Sequence, residues 1–301
     1  MRVADQPEIQ TDAPIPTWFR CGGLADRLAR PASLDALRRC LDEDQDAVVL
    51  GSGANLLVRD EGVGRLVISL EGDAWTEVSI DGEIVHAGAG ASLSRLITTC
   101  AKAGLKGPET LAGVPATLGG AIAMNAGGRH GEVSDLVESV TTLSREGIVH
   151  ERSPDELRFG YRSAHLGDEI VVGVTLRLTR SDPTCLTAAL HAIMHAKTET
   201  QPMGERCAGC AFRNPELPGD VDGIGRAGER IGAGLLIDRA GGKAFASGGA
   251  RISDVHANFI TTSKHATAAD VLACMEHAQK IVLDRFGVKL RREVVVWGRE
   301  G

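Results

Sequence analysis

Pro108-Glu-Thr-Leu-Ala-Gly-Val-Pro115-Ala-Thr-Leu-Gly-Gly120-Ala-Ile-Ala-Met-Asn125-Ala-Gly-Gly128 is the stretch on which the reading of this chain turns. Five of its twenty-one residues are Gly, and Glu109 alone carries a charge. Ordinary surface loops are polar, so a segment this apolar is expected to be buried, and buried main chain must find hydrogen-bond partners. Few polar side chains lie nearby in sequence to supply them. A bound polar ligand is a natural partner, because Gly lets the main chain come close and adopt positive φ. Successive free N–H groups also form a concavity suited to phosphate. The competing reading is a tight core crossover that binds nothing.

Upstream lies a second Gly-rich turn, Gly51-Ser-Gly-Ala-Asn55-Leu-Leu-Val58, entered from the short apolar strand Ala47–Leu50. A dinucleotide fingerprint of the parallel-sheet type needs a third Gly and an immediate helix. Position 56 is Leu and more strand follows, so that motif fails, as it does in Ala87-Gly-Ala-Gly-Ala-Ser92. A strand–turn–strand still presents amides to a phosphate, although a plain hairpin turn reads the same way.

The chain has 301 residues, enough for two or three domains, with 43% hydrophobic and 24% charged residues, which places it among soluble globular proteins. A net charge of −7 with no basic tract argues against nucleic acid as a partner. No apolar run reaches the length of a membrane span and no signal-peptide core opens the chain, so the expected compartment is the cytoplasm. Seven Cys, most of them inside apolar helical patterns, read as small core residues and not as a disulfide framework. The sequence does not fix an oligomeric state, and a monomer is compatible with it.

Taken in order, residues 1–16 read as loose. Ser33 caps a helix with Leu34, Leu37, Cys40 and Leu41 on one stripe, and Ser92 caps another with Leu93, Leu96, Ile97 and Cys100 inward. The double Gly at Gly22-Gly23 brings the backbone close to a ligand or a neighbouring strand. Hairpins are expected at Asp81-Gly82 and Arg145-Glu-Gly147, and a strand over 170–179. Asp182-Pro183 opens a helix with Leu186, Leu190, Ile193 and Met194 on one face and His191 and His195 on the wetter one. Beyond a composition change at residues 201–215, Thr267–Asp270 opens a long helix that ends at Gly287, and Arg292–Trp297 is the last strand.

Cys207-x-x-Cys210 invites two sharp readings. A redox dithiol normally sits at a helix N-terminus, and Pro215 opposes a helix there. Zinc would need His191 and His195 as further ligands, in inverted order and from a solvated face, so no metal is expected. Cys210, between Gly209 and Ala211, is a candidate positioned proton donor. Arg162, after Phe159-Gly-Tyr161, and Glu293, where a Val-rich strand begins, are candidate charges, each with a plain solvated reading beside it.

The ordered set Gly51-Ser-Gly-Ala-Asn-Leu-Leu, Leu111-Ala-Gly-Val-Pro-Ala-Thr-Leu-Gly-Gly-Ala-Ile-Ala-Met-Asn-Ala-Gly, Phe159-Gly-Tyr-Arg, Gly209-Cys-Ala-Phe-Arg-Asn-Pro, Gly234-Leu-Leu-Ile-Asp-Arg-Ala-Gly, His256-Ala-Asn-Phe-Ile and Arg292-Glu-Val resembles the UDP-N-acetylenolpyruvoylglucosamine reductase (MurB) family from about Thr17 to Trp297. The resemblance implies an α+β protein. An FAD-binding fold of the vanillyl-alcohol-oxidase-like type, in two subdomains, is joined by a C-terminal α+β substrate domain. The implied boundaries are 17–70 with return of the strand 290–301, then 71–199, then 200–289. Non-covalent FAD would be cradled by Gly51, Ser52, Gly53, Ala54, Asn55 and Leu56, and by Gly113, Val114, Pro115, Thr117, Gly119, Gly120, Ala121 and Asn125. No His lies in either cradle to attach it covalently, although His86 and His130 flank the region.

By the same resemblance NADPH is the co-substrate and a UDP-sugar the substrate, in bacterial cell-wall synthesis. Hydride from the flavin reaches C3 of an enolpyruvyl ether and a proton reaches C2, with Arg162 and Glu293 stabilising the enolic carboxylate. Tyr161, Arg213 and Asn214 are the implied substrate contacts. Two departures stand out. Cys210 occupies the place of the family's usual proton-donating Ser. Cys210 also follows Arg162 by only 48 positions, as in the subtype that lacks a Tyr-bearing lid. Another FAD-dependent sugar or alcohol oxidoreductase of the same fold and a non-catalytic flavin-binding module are the competing readings.

Overall fold

The computed structural model describes residues 7–299, and the chain divides into two compact units. The first is built from the segment ending at Ala13, Ala25–Ser52 and Arg65–Lys197; the second from Pro14–Leu24, Gly53–Gly64 and the segment beginning at Thr198. Neither is one continuous run of sequence.

In the first unit the helical spacings act as predicted. The Ser33 hydroxyl accepts the Ala36 amide at 3.1 Å, and helix Leu34–Glu43 buries Ala36, Leu37, Cys40 and Leu41. Helix Leu93–Lys102, capped by Ser92, buries Leu93, Leu96, Ile97 and Cys100. An antiparallel sheet runs in the order Val149–Arg152, Val137–Leu143, Ile170–Arg177, Ile84–Gly88, Val78–Asp81. A four-stranded sheet runs Ile9–Pro14, Leu24–Ala29, Val63–Ser69, Val48–Leu50. One apolar core, including Leu37, Leu66, Leu96, Ile122, Val140 and Val174, spans the unit.

Residues 1–16 were expected to be loose, yet Ile9–Pro14 is a strand at the sheet edge with Ala13 fully buried. A polar edge strand has no alternation that a hydrophobic pattern can register, and its Pro falls at the end, where a missing N–H costs least. Residues 1–6 lie outside the described residues. Helix Pro183–Thr200 also differs in degree: Leu186 is buried, but Leu190 and Ile193 are half-buried and Met194 is exposed.

The second unit is organised by helix Ala268–Phe286. Thr267 and Asp270 form a reciprocal capping box, and the Asp60 carboxylate accepts the Ala268 and Ala269 amides at 2.8 and 3.0 Å. Val271, Met275, Ala278 and Val282 face inward against helix Ala233–Arg239 and the short sheet Ala246–Ser247, Ala250–Ile252, Ile260–Thr262. The last strand, expected over Arg292–Trp297, is regular only over Val295–Trp297, where it pairs in parallel with Leu56–Val58. The partner of the Gly22-Gly23 pair is a neighbouring strand: a Cβ on Gly22 would lie 2.1 Å from the Val58 carbonyl oxygen, at a φ of +104°.

Gly22→Ala therefore combines a main-chain collision with a disfavoured dihedral, and the expected loss is about 3 kcal/mol or more. A lowered urea midpoint at unchanged slope would report it, and an unchanged midpoint would contradict the packing described.

Candidate active site

In the first unit Tyr161 and Arg162 sit at the tip of a loop that is closed at three levels. At its base the Arg152 guanidinium pairs with the Glu169 carboxylate, which also accepts the Thr142 hydroxyl at 2.5 Å. Higher up, the His165 amide donates to the Leu157 carbonyl at 2.7 Å. Near the tip Gly160 and Ser163 exchange both main-chain hydrogen bonds, at 2.9 and 3.1 Å. The Arg162 guanidinium carbon lies 5.3 Å from the centre of the Tyr161 ring, within cation–π range. Arg162 has φ of +56°, a left-handed conformation that costs a residue with a Cβ about 1–2 kcal/mol. Backbone outliers of this kind concentrate at functional sites.

The opening stretch forms the helix Leu118–Ala123 with Thr117 as its cap. Its first amides are taken by protein acceptors. Leu118 donates to Ala91 and Gly119 to Ala89, both at 2.8 Å; Gly120 donates to the Thr117 hydroxyl and Ala121 to the Thr117 carbonyl. Gly113 is left-handed, with φ of +74°, and the Ser52 hydroxyl donates to the Pro115 carbonyl at 3.1 Å. The turn upstream is different. Among the described residues, the amides of Gly51 and Ser52 in the first unit, and of Gly53, Ala54 and Asn55 in the second, donate to no protein acceptor.

The second unit brings Asn55, Cys210 and Glu293 into one hydrogen-bonded patch. The Glu293 amide donates to the Ala211 carbonyl at 2.8 Å, and the Glu293 carbonyl accepts the Asn55 side-chain amide at 3.0 Å. Asn55 and Val295 continue the link, Val295 N–H to Asn55 carbonyl at 3.0 Å. Cys210 is half-buried and forms a bridge with Phe259, and Arg213 donates its amide to Arg291. Asn258, quoted in the sequence only as part of His256-Ala-Asn-Phe-Ile, has a role that the motif does not state. It is buried, and its side chain accepts the Phe212 amide at 2.9 Å and donates to the Phe212 carbonyl at 2.8 Å. A lone Asn inside the apolar run Ala257–Ile260 was the available signal.

The Asn214 side chain accepts the Ala233 amide at 3.0 Å, fixing the start of helix Ala233–Arg239. Cys207 is buried, with its sulfur 4.0 Å from the Pro202 carbonyl, and burial pushes its thiol pKa up. Burial, and then the Asp60 and Asp270 charges, push the Cys21 thiol up to about 11. His191 and His195 are solvent-exposed, and among the described residues no three metal-ligating side chains cluster.

Comparison with known proteins decides the family. Residues 27–153 match the family described as FAD binding domain, and residues 201–297 match UDP-N-acetylenolpyruvoylglucosamine reductase, C-terminal domain. The chain is 41% identical over 287 residues to the UDP-N-acetylenolpyruvoylglucosamine reductase of Alkalilimnicola ehrlichii, covering 94% of this chain and 91% of that one. It belongs to the UDP-N-acetylenolpyruvoylglucosamine reductase (MurB) family. Reductase 2 of Symbiobacterium thermophilum is 36% identical over 98% of this chain and 94% of its own length. Among solved structures, the MurB of Thermus caldophilus superposes with a TM-score of 0.82 at 35% identity, covering 97% of this chain and 99% of that one. The fold is thus an FAD-binding fold with a C-terminal MurB domain, and no helix among the described residues is long and apolar enough to cross a membrane.

The residues present fit FAD. Its diphosphate needs N–H donors, and among the described residues the amides of Gly51 and Ser52 in the first unit, and of Gly53, Ala54 and Asn55 in the second, are donors with no protein acceptor.

The clamp under Arg162 gives a test by pH. The hydrogen bond from Arg152, aided by the one from Thr142, holds the Glu169 carboxyl below its ordinary 4.5. Its contribution to stability is complete at neutral pH and is lost as pH falls below 4.5 through the lower folded-state value. Glu169→Gln should lower the melting temperature at neutral pH and flatten the acid limb of the stability curve. An acid limb identical to wild type would show that the clamp contributes nothing.

Proposed function

We propose that this chain reduces the enolpyruvyl ether of UDP-N-acetylglucosamine to UDP-N-acetylmuramate, in the cytoplasm, with FAD as cofactor and NADPH as reductant, as a step of peptidoglycan precursor synthesis. Family membership supports the reaction. The assignment of Cys210 and Glu293 is supported by the bonds from the Glu293 N–H to the Ala211 carbonyl and from the Asn55 side-chain amide to the Glu293 carbonyl, which tie the neighbour of Cys210 to the main chain of Glu293.

When bound, FAD supplies to C3 of the enolpyruvyl group a hydride that originates in NADPH. In the first unit Gly51 and Ser52, with Gly113, Val114, Pro115, Thr117, Gly119, Gly120 and Ala121, would be its contacts, and in the second Gly53, Ala54, Asn55 and Leu56. Negative charge then develops on the substrate's enolic carboxylate. Arg162 stabilises it with a planar guanidinium that can pair two N–H donors with a carboxylate. Glu293 would act as a hydrogen-bond donor in its neutral form. Cys210 gives its proton to C2. An unperturbed thiol titrates at ~8.5, far below an alkyl hydroxyl, so sulfur is the stronger acid though the weaker hydrogen-bond donor. Tyr161, Arg213 and Asn214 hold the sugar nucleotide.

Anaerobic NADPH should bleach the flavin absorbance, and the enolpyruvyl UDP-sugar should restore it; failure of either phase excludes the reaction. Cys210→Ala is expected to slow the second phase by about 10²-fold or more while the first stays near the wild-type rate. Equal slowing of both phases would remove Cys210 from the role of proton donor.

A further inference from the structure

Asn125 stands where the Gly-rich stretch meets the loop that carries Arg162. It is 1% exposed, and its side-chain oxygen and nitrogen both bond within the protein. The oxygen accepts the Ser134 amide at 3.2 Å, and the nitrogen donates to the Glu132 carboxylate at 2.7 Å and to the Gly160 carbonyl at 3.1 Å. The reverse orientation would set the amide oxygen against two acceptors, so the chemistry of the partners fixes it. The main chain is specialised too. Asn125 has φ of +39° just past helix Leu118–Ala123. Its N–H bonds to Ile122 at 3.0 Å and that of Ala126 to Ala121 at 2.8 Å, a helix stop that requires a left-handed residue.

The Gly160 carbonyl held by Asn125 is the one that closes the Tyr161–Arg162 turn by accepting the Ser163 amide. A left-handed Arg persists only where its surroundings over-determine it. We infer that Asn125 is a positioning residue for Arg162: its amide, through the Gly160 carbonyl, holds the turn that carries the guanidinium, and it does not serve as a ligand of the cofactor. The inference rests on the reading of Arg162 as a catalytic residue.

The chain contains one Tyr, so fluorotyrosine-labelled protein gives a single fluorine resonance, from the ring beside Arg162. Asn125→Gly keeps the left-handed backbone and removes the amide. Asn125→Asp keeps the shape and the acceptor for Ser134 and removes both donors. Both variants are expected to shift or broaden the resonance and to retain wild-type flavin content. Reduction by NADPH should stay within about twofold of wild type, and reoxidation by the enolpyruvyl UDP-sugar should be slower by about tenfold or more. A resonance unmoved in both variants overturns the inference, and so does flavin loss with an unmoved resonance, which would mark a direct cofactor contact. If one variant does not fold, the other gives the same reading. The resonance is independent of turnover. A wild-type protein without reductase activity would therefore sink the reaction proposed above, while the resonance still decides the role of Asn125.

Discussion

The main chain of Glu293 is bonded on both sides, its N–H by Ala211 and its carbonyl by Asn55, and the geometry of the second unit follows from that. Three segments far apart in sequence are joined there: the turn into Leu56–Val58, the run Gly209–Arg213 and the run Arg291–Trp297. Main-chain bonds do most of the joining, and Asn258 adds a side chain that behaves like a strand edge toward Phe212. A frame built this way does not depend on the identity of the side chain at position 210. Gly209, with φ of +71°, supplies the left-handed turn that leads into this run.

The two Gly-rich stretches look alike in composition and differ in what their amides do. In Leu118–Ala123 the helix N-terminus is satisfied by Ala89, Ala91 and Thr117, and Gly serves there to let the helix lie close on that neighbour. In Gly51–Asn55 the amides have no such neighbour, and Gly53 is left-handed with the Pro16 carbonyl 2.0 Å from where its Cβ would be. Burial of main chain implies partners, but composition does not say whether the partner is protein or ligand. Only an accounting of each N–H separates a packing surface from an anion cradle.

The parts of the fold that were legible in sequence are those with a local cause. Ser33, Ser92 and Thr267 cap the helices their spacing announces, and Gly287 ends the last one. The edge strand Ile9–Pro14 was not legible, because its pairing partner supplies the order and its own residues do not. Arg162, Cys210 and Glu293 are candidates that a motif picks out, but the hydrogen bonds made by the side chains of Asn258 and Asn125 are not legible in it. Asn258 and Asn125 act on main chain 46 and 35 residues away, and such bonds leave no periodicity behind.

The Arg162 loop shows how a strained conformation is kept in place. Arg158 and Arg162 are both left-handed, at φ of +40° and +56°. Each costs about 1–2 kcal/mol. Against this stand the Gly160–Ser163 pair of bonds, the bond from His165 to Leu157, the bond from Asn125 to Gly160 and the reciprocal cap formed by Ser153 and Glu156. Net contributions of about 0.5–1.5 kcal/mol per hydrogen bond make the two sides comparable. A loop held this close to balance has little stability in reserve, so its conformation depends on every tie being present together. That dependence is useful where charge must meet charge within a fraction of an ångström, because a turn with one tie missing would relax toward right-handed backbone and carry the guanidinium with it.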